Sequence, residues 1–376
     1  MHKPRITLVS RFPPPVDGQT VAAMRLSELL APYFLLDKVH LSYTRGELIS
    51  RETLFSRGLR VMAAVDSAKA EINRHPGGIV LYNGLSSTVL GHLRDVLFVR
   101  YAVPRNRPLW GILHNGNYDR IFRPSLSWYS ARWLANRLQL FVCLSPSLAS
   151  RLYPYVGPEK VVVIPNTIDD EILCSVSEFS CRRHRLTSED ALRVVFISNM
   201  HKAKGFLDVL DAAKVLARKG VNLQVDFIGA WPSHRLEALF YEKLGSSGLR
   251  GIVNHHGPVY DRLRMKEILL EADAFVLPTY YPFEAQPITI IEALNAGTPV
   301  VTTRVAGIAD MITEEHNGLF VEPRDAADLA RQLDKLRQPD LWESLSLGAR
   351  ESFMSRFHPE IVRRQWLELS AAQACA

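Results

Sequence analysis

Four side chains of this sequence could do chemistry on a phosphorylated, polyhydroxylated ligand: His114, Lys204, Glu284 and Glu292. Glu284 falls in a loop ahead of an apolar, helical stretch, and Glu292 lies two turns along that stretch. A helix N-terminus carries unpaired amides and a partial positive charge, so it gathers phosphates and sugar hydroxyls. Lys204 precedes Gly205 and another amphipathic stretch, where an ammonium meets a diphosphate as a point charge beside helix amides. His114 closes the apolar run LWGILH ahead of the turn pair Asn115-Gly116. A neutral imidazole there both donates and accepts. Taken singly, each has a plainer reading: Glu284 a solvated loop acid, Glu292 an exposed helix acid, Lys204 a solvated lysine, His114 a turn or packing residue.

Such residues need a scaffold, and the hydrophobic pattern supplies one. Residues 273–303 read as a buried strand at 274–278, an aromatic loop, a helix with Pro287 at its first position and Gly297 just past its end, and a second buried strand at 298–302. This is one βαβ unit of a parallel sheet. Before it, strands are expected at 6–10, 35–41, 78–82, 109–114, 140–144 and 161–164. Helices alternate with them at 21–30, 54–73, 88–101, 126–136 and 146–153. A second series opens at 193–198 and continues with strands at 223–228 and 252–256 and helices from 206, at 234–244 and at 260–271. It closes with a strand in NGLFVEPRD and helices at 326–337 and 341–357. The pattern predicts an α/β protein with two doubly wound Rossmann-like domains. In such sheets the ligand crevice lies beyond the carboxyl ends of the strands, which is where His114 falls.

Glu284, seven residues, Glu292 and then Ala-Leu-Asn-Ala-Gly-Thr-Pro-Val-Val resembles the diagnostic segment of the retaining family 4 glycosyltransferases with the GT-B fold, two such domains facing a central cleft. The resemblance is dense over 194–323 and sparse before it. It implies that Glu284 lies beside the donor sugar, that Glu292 binds the nucleotide ribose, and that Lys204 binds the donor phosphates. It further implies that His114 contacts the donor sugar, that Gly18 in RFPPPVDGQT lies close to the diphosphate, and that Gly229 packs against the base. His114, Lys204 and Glu284 are thus the candidate catalytic residues. Gly18, Asn199, Lys204, Gly229, Gln286, Ile288 and Glu292 are the candidate donor-binding ones. The chain departs from the family at two places. Asn199 stands where the family usually has Arg, so charge around the leaving diphosphate must come from elsewhere, with His201 and Lys202 nearby. Gln286 and Pro287 stand where Phe and Gly are frequent, which exchanges a backbone donor for an amide side chain. The expected boundaries are an acceptor-binding domain at 1–168, a linker at 169–190, a donor-binding domain at 191–357, and a helix at 358–376 crossing back to the first domain.

Composition narrows the classes. A chain of 376 residues with 47% hydrophobic and 22% charged residues can bury two full cores and is not disordered. No run reaches the roughly 18 apolar residues of a membrane span, and the N-terminus lacks a signal-peptide pattern, which predicts a cytoplasmic protein. Cys143, Cys174, Cys181 and Cys375 show neither zinc nor disulfide-framework spacing, and no acid pair is placed to hold a divalent ion. No metal and no cofactor is expected, the nucleotide-diphosphate sugar being a substrate. Residues 1–168 carry 21 Lys and Arg against 10 Asp and Glu, net +11, and the remainder carries 24 against 29, net −5. Arg94, Arg100, Arg105, Arg107, Arg120, Arg123, Arg132 and Arg137 interleave with Leu97, Phe98, Trp110, Phe122, Trp128, Tyr129 and Trp133. This is the composition of a helix lying in an anionic membrane interface, or of an ordinary basic face over a core. No nucleic-acid motif accompanies it. The expected activity is transfer of a sugar to a glycan or lipid-linked glycan in cell-surface polysaccharide or glycoconjugate synthesis, at the inner membrane face. A GT-B epimerase and a non-catalytic nucleotide-sugar binding protein are the rivals, the second favoured by Asn199.

Overall fold

The computed structural model describes residues 3–14, 18–41, 54–123, 127–181 and 190–374. The chain divides into two compact units, Met1–Asn166 with Val362–Ala376, and Thr167–Ile361.

The first unit is built on a parallel sheet of β1 (Arg5–Ser10), β2 (Leu35–His40), β3 (Ile79–Asn83), β4 (Leu109–Leu113), β5 (Leu140–Cys143) and β6 (Val161–Val163), in the order β2-β1-β3-β4-β5-β6. Interior strands such as β4, LWGIL, are buried along their length, as continuous apolar runs of a covered parallel sheet are. The edge strand β2 is largely solvent-facing and carries Asp37, Lys38 and His40, charges that discourage pairing with another edge. Winding reverses between β1 and β3, whose ends meet with Ser10 opposite Asn83. That reversal opens a crevice at the carboxyl ends of these strands. Behind it, the helix Val89–Ala102 is capped by the Thr88 hydroxyl, which accepts from the Gly91 amide.

The second unit repeats the plan with β7 (Leu192–Ile197), β8 (Leu223–Ile228), β9 (Val253–His255), β10 (Ala274–Leu277), β11 (Val300–Thr302) and β12 (Gly318–Phe320), ordered β12-β11-β10-β7-β8-β9. Here the reversal lies between β7 and β10, paired through Val194 with Ala274 and Val195 with Phe275. The helix Phe206–Arg218 buries Phe206, Val209, Leu210, Ala213 and Leu216, the helical spacing read in the sequence.

Several boundaries differ from the expectations. The first helix begins at Gly18, not near Val21, so Gly18 is its first residue and not part of the loop ahead of it. Pro287 has an extended ψ of 123° and is the cap before the helix Ile288–Asn295, not its first residue. The stretch 146–153 splits into Pro146–Ser150 and Tyr153–Val156. Of the expected linker, 182–189 lies outside the described residues, and 169–181 belongs to the second unit. Ile172 and Cys174 are buried in its core, and the Asn295 side chain holds both, donating to the Ile172 carbonyl at 2.8 Å and accepting from the Cys174 amide at 3.2 Å. Helix 339–352 ends in a widened turn, Phe353–Phe357, before the last helix, Pro359–Ala374. From Val362 that helix is part of the first unit. Among the described residues no helix is long and apolar enough to cross a membrane.

Candidate active site

In the second unit the end of β7 and the end of β10 are laced together by backbone. The Tyr280 amide donates to the Ala203 carbonyl at 2.8 Å, and the Thr279 hydroxyl lies 3.2 Å from the same oxygen. Gly205 makes this approach possible. Its φ is +85°, and a Cβ there would overlap the Pro278 carbonyl. The short turn Lys202–Lys204 thereby delivers Lys204 to the reversal point, at the N-terminus of helix 206–218.

Lys204 Nζ donates to Glu284 Oε2 at 2.6 Å, with side-chain exposures of 18% and 8%. The Thr279 hydroxyl lies 3.1 Å from the same carboxylate oxygen, and the Tyr281 ring sits 5.1 Å beneath the ammonium. Glu284 is therefore not a solvated loop acid. Glu292 is not an exposed helix acid either: it is 3% exposed, and Arg262 Nη2 donates to its Oε1 at 2.5 Å. Arg262 Nε donates in turn to Asp169 Oδ2 at 3.1 Å. Burial lowers the basicity of Arg262, but Glu292 and Asp169 outweigh it and raise the pKa, so the guanidinium stays charged.

The remaining donor-side candidates line the same strand ends. Gln286 is buried and Ile288 half-buried at the head of helix 288–295. A Cβ on Gly229 would overlap the Ser198 carbonyl, and the Met200 amide donates to the Ala230 carbonyl at 2.9 Å, so the loops after β7 and β8 are in contact. Asn199, His201 and Lys202 are exposed.

In the first unit His114, Asn83 and Ser10 meet at the β1/β3/β4 ends. Asn83 Nδ2 donates to Ser10 Oγ at 3.1 Å, which fixes the amide so that Oδ1 faces His114 Nε2 at 2.5 Å. In that orientation a proton on His114 Nε2 makes the bond. Gln19 donates to the Asn83 carbonyl at 2.8 Å and accepts from Arg11 at 3.0 Å. Gly18, next to Gln19, is exposed, and a Cβ on it would meet nothing within 4 Å. Behind this network Asp95 is fully buried and accepts from the Tyr82 hydroxyl and the Ser86 amide, both at 2.7 Å, and from Arg94. Burial pushes its carboxyl up to about 6, against the pull of these donors.

The residues that sequence reasoning missed are Asp169, Arg262, Thr279, Asn83 and Gln19. Each is placed by tertiary contact and none by a motif. The Arg-aromatic reading also needs correction. Arg107 is buried and donates to the Gly78 and His75 carbonyls, Arg94 to the Gly84 carbonyl, and Arg137 to the Pro104 and Arg107 carbonyls. Phe98, Trp110 and Phe122 are core residues. What does face solvent on the helix 89–102 is Val89, Leu90, Leu93, Arg100 and Tyr101. Cys143 is a core residue, its thiol pushed up to about 12 by burial, and Cys375 lies outside the described residues. Among the described residues no group of three or more His, Cys, Asp or Glu could hold a metal ion.

Two family models match this arrangement. Residues 191–338 match "Glycosyl transferases group 1" and residues 52–172 match "Glycosyltransferase Family 4", together more than half of the chain. The chain thus carries two glycosyltransferase domains, one of each model. Its relatives include WcaL of Escherichia coli strain K12, a glycosyltransferase assigned to colanic acid biosynthesis, at 26% identity over 64% of this chain and 58% of WcaL. The lipopolysaccharide core biosynthesis glycosyltransferase LpsD of Rhizobium meliloti is 28% identical over 62% of this chain and 63% of LpsD. The chain thus spans less than two thirds of the length of either relative. The crystal structure of HepE from Anabaena in complex with UDP-glucose superposes with a TM-score of 0.73 at 18% identity, covering 98% of this chain and 100% of HepE. Together with the two six-stranded parallel sheets, this shows the GT-B fold.

Proposed function

We propose that this chain transfers a sugar, with retention of anomeric configuration, from a nucleotide-diphosphate sugar to a hydroxyl of a glycan or lipid-linked glycan in cell-surface polysaccharide or glycoconjugate synthesis. The observation that carries the reading is the buried Lys204–Glu284 pair at the β7/β10 reversal, on the N-terminus of helix 206–218. In a free protein this pair is poised for exchange. The incoming diphosphate takes over Lys204 and the helix amides, and Glu284 is released to accept from donor-sugar hydroxyls. Glu292 accepts from the ribose hydroxyls, and Gly18, Gly229, Gln286 and Ile288 line the donor. His114, held through Nε2 by Asn83, contacts the donor sugar. The bond from the anomeric carbon to the diphosphate breaks, the acceptor oxygen bonds to that carbon from the same face, and the acceptor proton leaves with the diphosphate. Lys204 and the preorganised amides stabilise the departing charge, without a metal.

The exposed strip Val89, Leu90 and Leu93, beside Arg100 and within a first unit of strong positive charge, supports peripheral binding to an anionic membrane carrying the acceptor. Flotation with anionic but not zwitterionic liposomes is the expected result, and equal recovery with both removes this part of the proposal. Because HepE holds UDP-glucose, uridine donors are the first to try.

The test is thermal shift of the purified protein with UDP-, GDP-, ADP- and dTDP-sugars, each with and without EDTA. One nucleotide class should raise the melting temperature, equally in EDTA, and Glu292→Ala should abolish the shift. A shift that EDTA removes and Mg²⁺ restores refutes metal independence. A second reading, a non-catalytic nucleotide-sugar binding protein, is favoured by exposed, uncharged Asn199. Donor that binds but stays intact after incubation with acceptor-bearing membranes would establish it.

A further inference from the structure

Arg262 stands in no family motif of the sequence, yet it makes a contact that a carboxylate as buried as Glu292 requires. Glu292 is on the helix Ile288–Asn295, Arg262 opens the helix Arg262–Glu271, and Asp169 lies in the first residues of the second unit. Three separate elements thus converge on one guanidinium. A carboxylate this far from water is costly unless an opposite charge and hydrogen bonds compensate it. A guanidinium does both with a rigid fork: Nη2 holds Glu292 Oε1 at 2.5 Å while Nε is held by Asp169 Oδ2 at 3.1 Å. Asp261, which accepts from the Leu263 and Arg264 amides, fixes the helix end from which Arg262 projects.

We infer that Arg262 is a positioning residue. Clamped by Asp169, it holds the Glu292 carboxylate charged and aimed, and so sets the enzyme's preference for a ribose over a deoxyribose nucleotide. The inference rests on the reading of Glu292 as the ribose acceptor. A lysine cannot replace it fully, because one ammonium does not present two diverging N–H donors at a fixed angle to both carboxylates.

The experiment compares Kd for UDP, GDP and ADP with Kd for their 2′-deoxy counterparts in full-length protein by calorimetry. Variants are Glu292→Gln, Arg262→Met, Arg262→Lys and Asp169→Asn, each checked for an intact fold by circular dichroism and its ligand-free melting temperature. A hydrogen bond to a charged group is worth about 1.5–3 kcal/mol, so wild-type protein should prefer the ribose form by roughly tenfold or more. Arg262→Met should bring that ratio to near one, Arg262→Lys and Asp169→Asn to intermediate values, and donor KM should rise by a larger factor than kcat falls. If Glu292→Gln abolishes the preference while folded Arg262→Met retains it, the inference is overturned and the ribose reading stands. No preference in wild-type protein, or one that Glu292→Gln leaves intact, overturns the ribose reading and the inference with it. Should Arg262→Met not fold, Arg262→Lys and Asp169→Asn decide, and an unchanged ratio in both overturns the inference.

Discussion

Removing Lys204 alone should damage the second unit more than removing Lys204 and the charge on Glu284 together. Breaking a buried ion pair from one side costs about 3–5 kcal/mol, and an exposed pair about 0–1. Here the ammonium is 18% exposed and the carboxylate 8%, nearer the buried limit, and the Thr279 hydroxyl still reaches the stranded oxygen. For Lys204→Met about 2–3 kcal/mol is expected. In a unit the size of Thr167–Ile361, at about 2–4 °C per kcal/mol, that is a fall of roughly 5–10 °C. Lys204→Met with Glu284→Gln leaves a neutral amide that keeps its bond to Thr279, so about half of the loss should return. The assay is a double-mutant cycle by urea unfolding and thermal melting, read on the transition that a nucleoside diphosphate shifts in wild-type protein. The double variant should be more stable than Lys204→Met and still give no shift with nucleotide. Additive losses, or a Lys204→Met melting temperature within about 1 °C of wild type, refute the idea that the pair is a compensated buried charge.

Gly205→Ala forces a Cβ into the Pro278 carbonyl at φ +85° and should cost more than about 1 kcal/mol while weakening nucleotide binding. Urea midpoints and nucleotide shifts check it together. Asp95 gives a pH dependence of definite sign. Its carboxyl is raised from an ordinary value near 4 to about 6, so the folded state binds the proton more tightly than the unfolded chain. Its contribution is complete below about pH 4 and is lost as pH rises through about 6, a swing of about 3 kcal/mol. Stability measured from pH 4 to 8 should show this fall in wild type relative to Asp95→Asn; parallel curves remove the assignment. Asn83→Asp puts a carboxylate 2.5 Å from His114 Nε2, where it favours the charged imidazole. The His114 titration followed by NMR should move to higher pH, and no movement means that the two side chains do not face each other in solution.

Much of the fold was legible because parallel strands buried on both sides leave runs such as LRVVFI and LWGIL that little else in a soluble chain explains. The positions of Lys204 and Glu284 were legible too, through residues that stay close along the chain: Lys-Gly before a helix, and two acids with seven residues between them. Their partners were not. Arg262 is 93 residues from Asp169 and 30 from Glu292, and in the sequence it is one of several basic residues opening an ordinary helix. Asn83 falls just past the expected strand at 78–82, and nothing along the chain links it to His114, 31 residues on, until β3 and β4 bring the two together. Composition did not sort the arginines of the first unit for a related reason. Arginine donates to orphan carbonyls as readily as it faces water, and composition does not separate the two, so Arg94, Arg107 and Arg137 counted as surface charge while holding loops together.

The two units place different chemistry at the same topological point. At the β7/β10 reversal two buried carboxylates meet partly exposed cations, Glu284 with Lys204, and Glu292 with Arg262, which Asp169 also holds. Buried pairs contribute little net stability and cost desolvation, so stability is a poor reason to keep two of them within one unit. A ligand that carries both anionic and hydroxyl groups is a better one, since it can take over the cations and carboxylates alike. At the β1/β3 reversal the groups in contact are an imidazole, an amide and a hydroxyl joined in series through His114, Asn83 and Ser10. Amide and hydroxyl groups of fixed orientation suit a sugar hydroxyl. The two reversal points thus differ in the polar groups they hold, charged pairs in the second unit and an imidazole-amide-hydroxyl series in the first.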